Sequence, residues 1–381
     1  MGMFFVRIAL YLTFAKIVGM RRIIQLILFI APLSVFTQDI HFSQFYMSPL
    51  NLNPALTGVM NCKMRFVANY RNQWAPVLKS KSFNTFNMSF DQKIPVGRYD
   101  YFGFGGTFWG DKAGSLDFST IQFKLSGSYS KRMAGTRTSA QYLVFGADAS
   151  LNQRSINFHN ALWGNQITSS GPNTNLPGDP TIFDPGFLFA DMTIGLLWFS
   201  VLDKNNNYYF GGSYSHLNEP LQNNSVDAPG NNFSPAPLYP KLTVHGGGVF
   251  ALDRKNSIVP GIVSFFQGPH WQVNGGTSFR FNMSKSRYDE QSFQLGLWGR
   301  LANSEKVKDA TTTPVTYSNG VLMDALILST RFDYNKFGVG LSYDVNVSGL
   351  RKASAANNSF EFSFIYNICG PEKRGIYCPN F

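Results

Sequence analysis

Five histidines, a scatter of carboxylates and three cysteines are the residues from which this chain could build chemistry. The histidines are His41, His159, His216, His245 and His270. No two have the i, i+4 spacing of a helical zinc site, and none adjoins a cysteine or an acidic cluster, so no metal is expected. No serine sits in a nucleophile elbow. The run GFGGTFWG (103–110) lacks nucleotide-loop spacing and no helical pattern follows it. Small residues in a tightly curved strand account for it. Carboxylates on a lumen or rim face, for example Asp333 or Asp344, are the remaining place for acid–base work, but their spacing is that of solvated strand residues. The chain reads as non-catalytic, with no cofactor.

The cysteines suggest structure instead. Cys369 ends the last predicted strand and Cys378 follows, with Gly370, Pro371 and Gly375 allowing a reversal between them. A small Cys369–Cys378 loop is the first expectation. The alternative joins Cys369 to Cys62, which opens the first predicted strand.

The amino terminus bears on both. Arg21 and Arg22 precede the apolar stretch IIQLILFIAPLSVF (23–36), the order of a secretory signal peptide. Residues 1–37 are expected to be that signal, with a possible start at Met20 and a cut near Thr37/Gln38. A retained membrane anchor is the alternative; no cysteine follows the apolar stretch, which argues against a lipoprotein. Secretion places the cysteines where they can pair. Setting aside residues 1–37 removes four basic and no acidic residues, taking the formal charge from +11 to +7. That surplus is spread along the chain and forms no basic block, so nucleic acid is not an expected partner.

Charged residues are 14% and aromatics 15%, with 36 Phe and 17 Tyr. No mature stretch approaches the length of a helical span. Aromatic, glycine-rich and charge-poor, the chain fits a transmembrane antiparallel β-barrel. KFGVGLSYDVNVS shows the alternation plainly: Phe337, Val339, Leu341, Tyr343, Val345 and Val347 share one face, Gly338, Gly340, Ser342, Asp344 and Asn346 the other. SFEFSFIYNIC repeats it, with Phe360, Phe362, Phe364, Tyr366 and Ile368 opposite Glu361, Ser363 and Asn367. Such an aromatic last strand resembles the insertion signal of bacterial outer-membrane barrels.

Further segments lie near 322–334, 292–301, 270–283, 257–267, 241–252, 207–217, 191–201, 139–154, 115–131, 102–110, 83–93 and 63–74. The total is about fourteen strands, with twelve or sixteen open because single-chain bacterial barrels have even counts. GIVSFFQG and IGLLWFS are apolar on both faces and could be core strands. Short turns at FDYNKFG and LDRKNS alternate with long loops at 157–186, 218–240 and 302–321, the latter expected outside. Trp109, Trp198, Trp271 and Trp298 fall in strands and Trp74 at a strand end, where lipid-facing bulk or an interfacial girdle is the expected role. Trp163, in a long loop, is the candidate for partner binding.

Between signal and first strand runs FSQFYMSPLNLNPALTG (42–58), without a charge. Asn53 can cap and Pro54 can open a helical turn that Gly58 ends. Phe42, Phe45, Tyr46 and Leu50 could fill a lumen, where an unpaired charge would be costly. Residues 38–61 therefore read as a plug or strap, 62–369 as the barrel, and 370–381 as a periplasmic tail.

The opening of the mature chain resembles the PorP/SprF family. The matching residues are Gln38-Asp39, Phe42-Ser43-Gln44-Phe45-Tyr46, Asn53-Pro54-Ala55 and Gly58. RFVANYRNQW (65–74) resembles that family's first strand, and CPNF (378–381) its ending. The resemblance implies an outer-membrane barrel of the type IX secretion system of Bacteroidota, non-catalytic. It further implies support for export or surface anchoring of a secreted cargo, such as a gliding adhesin, through the cargo's C-terminal domain. Other implied partners are outer-membrane lipid and secretion components at the periplasmic face. A pore or transporter for a small solute is the second reading; its lumen would need a ring of charge or a convergent polar site.

Overall fold

Alternation at period two builds one closed sheet. The computed structural model describes residues 39, 41–136, 138–157, 166–168, 171–173, 175–176, 186–203, 205–221, 237–284, 291–309, 316–351 and 357–370. The strands are β1 (Met64–Gln73), β2 (Phe83–Val96), β3 (Asp100–Ala113), β4 (Phe118–Gly135), β5 (Ala140–Ser155), β6 (Gly186–Val201) and β7 (Asn207–Ser215). Then follow β8 (Lys241–Ala251), β9 (Asn256–Gln267), β10 (His270–Asn282), β11 (Gln291–Asp309), β12 (Thr316–Tyr334), β13 (Phe337–Asn346) and β14 (Asn357–Ile368). Each pairs antiparallel with its sequence neighbours, and β1 pairs with β14 from Met64↔Ile368 to Gln73↔Ser359, so the fourteen strands leave no free edge.

Parity sorts the side chains as the sequence anticipates for most strands. On β13 the Phe337, Leu341 and Tyr343 side chains are exposed while Ser342, Asp344 and Asn346 are buried. The outer face is an apolar belt that includes Phe104, Phe123, Phe145, Leu188, Leu297 and Leu328. No helix among the described residues is long and apolar enough to cross a membrane; the strands do so.

Several expectations are corrected. Residues 302–321 are not one long loop: β11 runs to Asp309 and β12 starts at Thr316, because the backbone pairing of the two strands continues from Asn303↔Val321 to Asp309↔Thr316. Trp298 is not lipid-facing; it is buried in the lumen, with its parity set by Gly296 and Arg300. Trp109 also faces inward, donating from Nε1 to Gln122 Oε1 at 2.5 Å. The doubly apolar IGLLWFS sends Leu197 and Phe199 inward, where with the following Val201 they join Tyr142, Val144 and Phe45 in a true core. Trp163 and Cys378 lie outside the described residues, as do the signal region and the tail beyond Gly370.

Cys369 pairs with Cys62, not with Cys378. Closure explains this choice: Met64 and Ile368 are register partners, which brings the flanking cysteines to one rim. Non-reducing peptide mapping is expected to recover a peptide joining Cys62 to Cys369; a Cys369–Cys378 peptide in its place would contradict the closure.

Candidate functional site

The interior that closure creates is filled by residues 41–61. This segment folds into three short turns: a 3-10 turn Phe45–Met47, a helical turn Pro49–Leu52 and a 3-10 turn Pro54–Leu56. Local chemistry dictates the last of these. Asn53 Oδ1 accepts from the Ala55 N–H at 2.9 Å, Pro54 supplies a fixed φ, and Gly58 takes φ +72° where the chain leaves the turn. Phe42, Phe45, Met47, Leu50, Ala55 and Leu56 are all buried against the wall. Phe45 meets Trp298 edge-on and Tyr46 stacks on it at 5.3 Å.

The wall yields room where the backbone of the segment comes closest. A β-carbon on Gly146 would run into the Pro54–Ala55 peptide, and one on Gly195 into the Asn53 side chain. In GFGGTFWG, a β-carbon on Gly103 would meet the Thr57 carbonyl. Gly103 and Gly105 of that run therefore accommodate the segment, whereas Gly110 makes room for the Phe86 ring.

Short helical turns leave most of their N–H and C=O groups unpaired, and a closed lumen offers little water to satisfy them. Wall side chains do it instead. Glu361 on β14 accepts from the Ser43 and Gln44 N–H groups at 2.7 and 3.0 Å. Asp91 on β2 accepts from the Gly58 N–H at 2.8 Å and from Arg65 Nη2 at 2.8 Å; Arg65 also donates to the Leu56 carbonyl at 3.2 Å. Lys93 donates to the Met60 carbonyl at 2.8 Å, Lys124 to Leu50 at 3.1 Å, and Asn69 to Met47 at 3.1 Å. Arg71 donates to the His41 carbonyl. In the other direction, Asn53 Nδ2 donates to the Leu196 and Gly212 carbonyls of the wall, 3.1 and 3.0 Å away.

The acids and bases of the wall also pair with each other. Arg300 Nη2 lies 2.6 Å from Asp344 Oδ2, which accepts from Ser43 Oγ at 2.7 Å, and Arg71 Nε lies 3.4 Å from Glu361 Oε1. All are buried, so a lone charge here would be expensive, and the pairing with added hydrogen bonds is what makes it tolerable. Asp333, by contrast, pairs locally with Arg331 at 2.9 Å. Asp333 also accepts from Ser292 Oγ at 3.1 Å and from Gln294 Nε2 at 3.3 Å. Among the described residues no cluster of three His, Cys, Asp or Glu could hold a metal.

A second fastening holds the start of the segment near the long-loop rim. His216 bridges Asp191 through Nδ1 at 2.9 Å and Asp39 through Nε2 at 2.8 Å; Lys241 adds a 2.7 Å contact to Asp39. Burial disfavours the His216 cation, but Asp39 and Asp191 overcome that and push its pKa to about 9. Burial likewise disfavours the Asp39 anion, yet Lys241 and His216 hold its carboxyl well below the usual range. The segment thus runs the length of the lumen, from this rim to Cys62 at the opposite one.

The sequence-predicted residues Phe42, Ser43, Gln44, Phe45, Tyr46, Asn53, Pro54, Ala55 and Gly58 all lie in this segment, inside the barrel. Arg65, Arg71, Asp91, Lys93, Lys124, Arg300 and Glu361 were not singled out in the sequence. Their signal is parity: each is a charge on the small-polar face of its strand.

A filled, closed fourteen-strand barrel with an apolar outer belt is an outer-membrane protein. The sequence matches the family described as type IX secretion system membrane protein PorP/SprF over residues 34–366. The chain belongs to that family. No curated protein matches it. Similar solved structures include CdiB from Escherichia coli (TM-score 0.43, 7% identity, 79% of this chain and 62% of that one). CdiB from Acinetobacter baumannii gives TM-score 0.42 and 8% identity, over 80% and 60%. BamA from Haemophilus ducreyi lacking POTRA domains 1–3 gives TM-score 0.34 and 11% identity, over 80% and 70%. The chain spans about three fifths of the length of the two CdiB structures.

Two outcomes follow from this geometry. Glu361→Leu removes the acceptor for two buried N–H groups and the partner of Arg71; it is expected to cost about 3 kcal/mol, read as a lower temperature for loss of heat-modifiable migration in SDS gels. Glu361→Gln should cost less, since the amide oxygen still accepts. The second concerns pH. A histidine whose pKa is raised on folding stabilises fully below its unfolded value, near 6.5, and loses that contribution as pH rises through its folded value, about 9. Between pH 6.5 and 9.5 the melting temperature of the wild type should fall, and His216→Gln should flatten that slope.

Proposed function

We propose that this protein is a non-catalytic outer-membrane barrel of the type IX secretion system that supports export or surface anchoring of a secreted cargo, with its lumen closed by its own N-terminal segment. The observation that carries the reading is the continuous hydrogen bonding of residues 43–60 to opposite sides of the wall, from Glu361 on β14 to Lys124 on β4. Such a lumen is a rigid support rather than a path for cargo. Family membership supports the secretion role, and the cargo's C-terminal domain is the proposed point of engagement. The long-loop rim offers the outer surface for that contact, with Trp163 as a loop candidate, while other secretion components meet the periplasmic rim.

The pore reading required an open polar passage, and the wall charges that would line one instead hold the segment. In planar bilayers the purified protein is expected to show no steady large conductance; such a conductance would contradict the closed lumen. Affinity purification from the native outer membrane, followed by mass spectrometry, is expected to recover a large secreted protein or secretion components. Deleting Phe42–Gly58 should leave a barrel that inserts, judged by heat-modifiable migration, but should abolish recovery of the secreted partner. Recovery undiminished from an intact deleted barrel would show that the segment has no part in cargo retention.

A further inference from the structure

We propose that the part of β12 above the barrel rim is a docking edge that pairs with an extended segment of the secreted partner. Closure leaves no free edge within the wall, but β11 and β12 outrun the wall on the long-loop side. Their mutual ladder runs from Gln291↔Tyr334 up to Asp309↔Thr316. On one side, the pairing of β10 with β11 stops at Gln272↔Ala302. On the other, that of β13 with β12 stops at Ala325↔Asn346, with the Val347 N–H donated to the Asp324 carbonyl just beyond. Residues 304–309 and 316–323 thus form a two-stranded ribbon that continues past its neighbours. Among the described residues no strand pairs with either of its outer edges.

A strand paired on one side turns a row of backbone N–H and C=O groups toward the other, spaced for a further extended backbone. At about 3.3 Å per residue the β12 edge is about 25 Å long, enough for a strand of ordinary length. The two edges differ in sequence. The β11 part reads SEKVKD, in which lysines and acids recur, and lysine on an edge is a common guard against pairing. The β12 part reads TYSNGVLM and has no charged residue. Its threonine, tyrosine and valine suit extended backbone. One edge of the ribbon is guarded and the other is bare, which singles out β12 for pairing.

An unpaired edge selects its occupant by backbone geometry: an extended chain that adds as a strand. A second copy of this protein fits less well. Copies in one membrane carry β12 in the same direction, so two β12 edges can meet only in parallel, and a head-to-tail contact would set β12 against the guarded edge of β11. The ribbon stands on the side of the long loops, so a secreted protein reaches it without passing the filled lumen. The inference rests on the cargo reading for the partner's identity and adds where and how the partner is held.

The test uses the full chain in its native outer membrane. Tyr317, Asn319 and Val321 on β12, and Lys306 and Lys308 on β11, are replaced one at a time by the photo-crosslinker p-benzoylphenylalanine. Crosslinks from the β12 positions are expected to fall on one secreted peptide in steps of about two residues, the repeat of a paired strand, with none from β11. The double variant Asn319→Lys/Val321→Lys should lower recovery of the secreted protein about tenfold, while heat-modifiable migration stays that of a folded barrel. Lys306→Thr/Lys308→Thr should leave recovery unchanged. If a secreted protein is recovered but the β12 crosslinks are absent, out of register, matched by β11 or made to this chain itself, the docking edge is overturned and the cargo reading stands. Undiminished recovery in the folded β12 double variant also overturns it, and recovery of no secreted protein at all overturns both.

Discussion

The structure depends on one constraint: an uncharged peptide backbone enclosed in a barrel must have its polar groups satisfied by the wall. The segment 41–61 cannot do this itself, because turns of three or four residues pair few of their own groups. The wall answers with charges, which make stronger hydrogen bonds than neutral partners. Glu361 and Asp91 take N–H groups; Arg65, Arg71, Lys93 and Lys124 take carbonyls. These charges in turn require one another, so the Arg300–Asp344 and Arg65–Asp91 pairs and the segment form one interdependent network. Removing any member leaves a buried group alone, which is where the energetic penalty lies.

The same network bears on how the sheet closes. Asn69 on β1 donates both to Ser363 on β14 and to the Met47 carbonyl, so the segment contacts both strands of the seam. Arg71 on β1 faces Glu361 on β14, and Cys62 joins Cys369 at the seam's base. A barrel without this filling would have its charges facing a water-filled lumen. The glycines at 146 and 195 show that the wall is shaped for this occupant, since any larger residue there would displace the Asn53–Ala55 step.

Much of this was legible in the sequence. Alternation gave the strands and their faces, and the even count and closure followed from edge and backbone rules. The Asn53–Pro54 turn and its Gly58 exit were readable from local chemistry. The convergence of the charges was not. Arg65, Lys124, Arg300 and Glu361 are far apart in the chain, each resembling a solvated strand residue, and only the closed register brings them to one lumen. Trp298 was misplaced by residue type: a tryptophan in a barrel strand suggests lipid, but its parity with Gly296 and Arg300 already pointed inward. The extension of β11 to Asp309 and of β12 back to Thr316 was hidden by polar composition, since strands that extend past the apolar belt lose the hydrophobic half of their pattern.

The central claim is that wall carboxylates hold the segment's amides inside the barrel. Hydrogen exchange on the purified protein tests it at the Ser43, Gln44 and Gly58 amides. The account predicts exchange as slow as that of the paired amides of β1, whereas exchange at the rate of an open loop would contradict it.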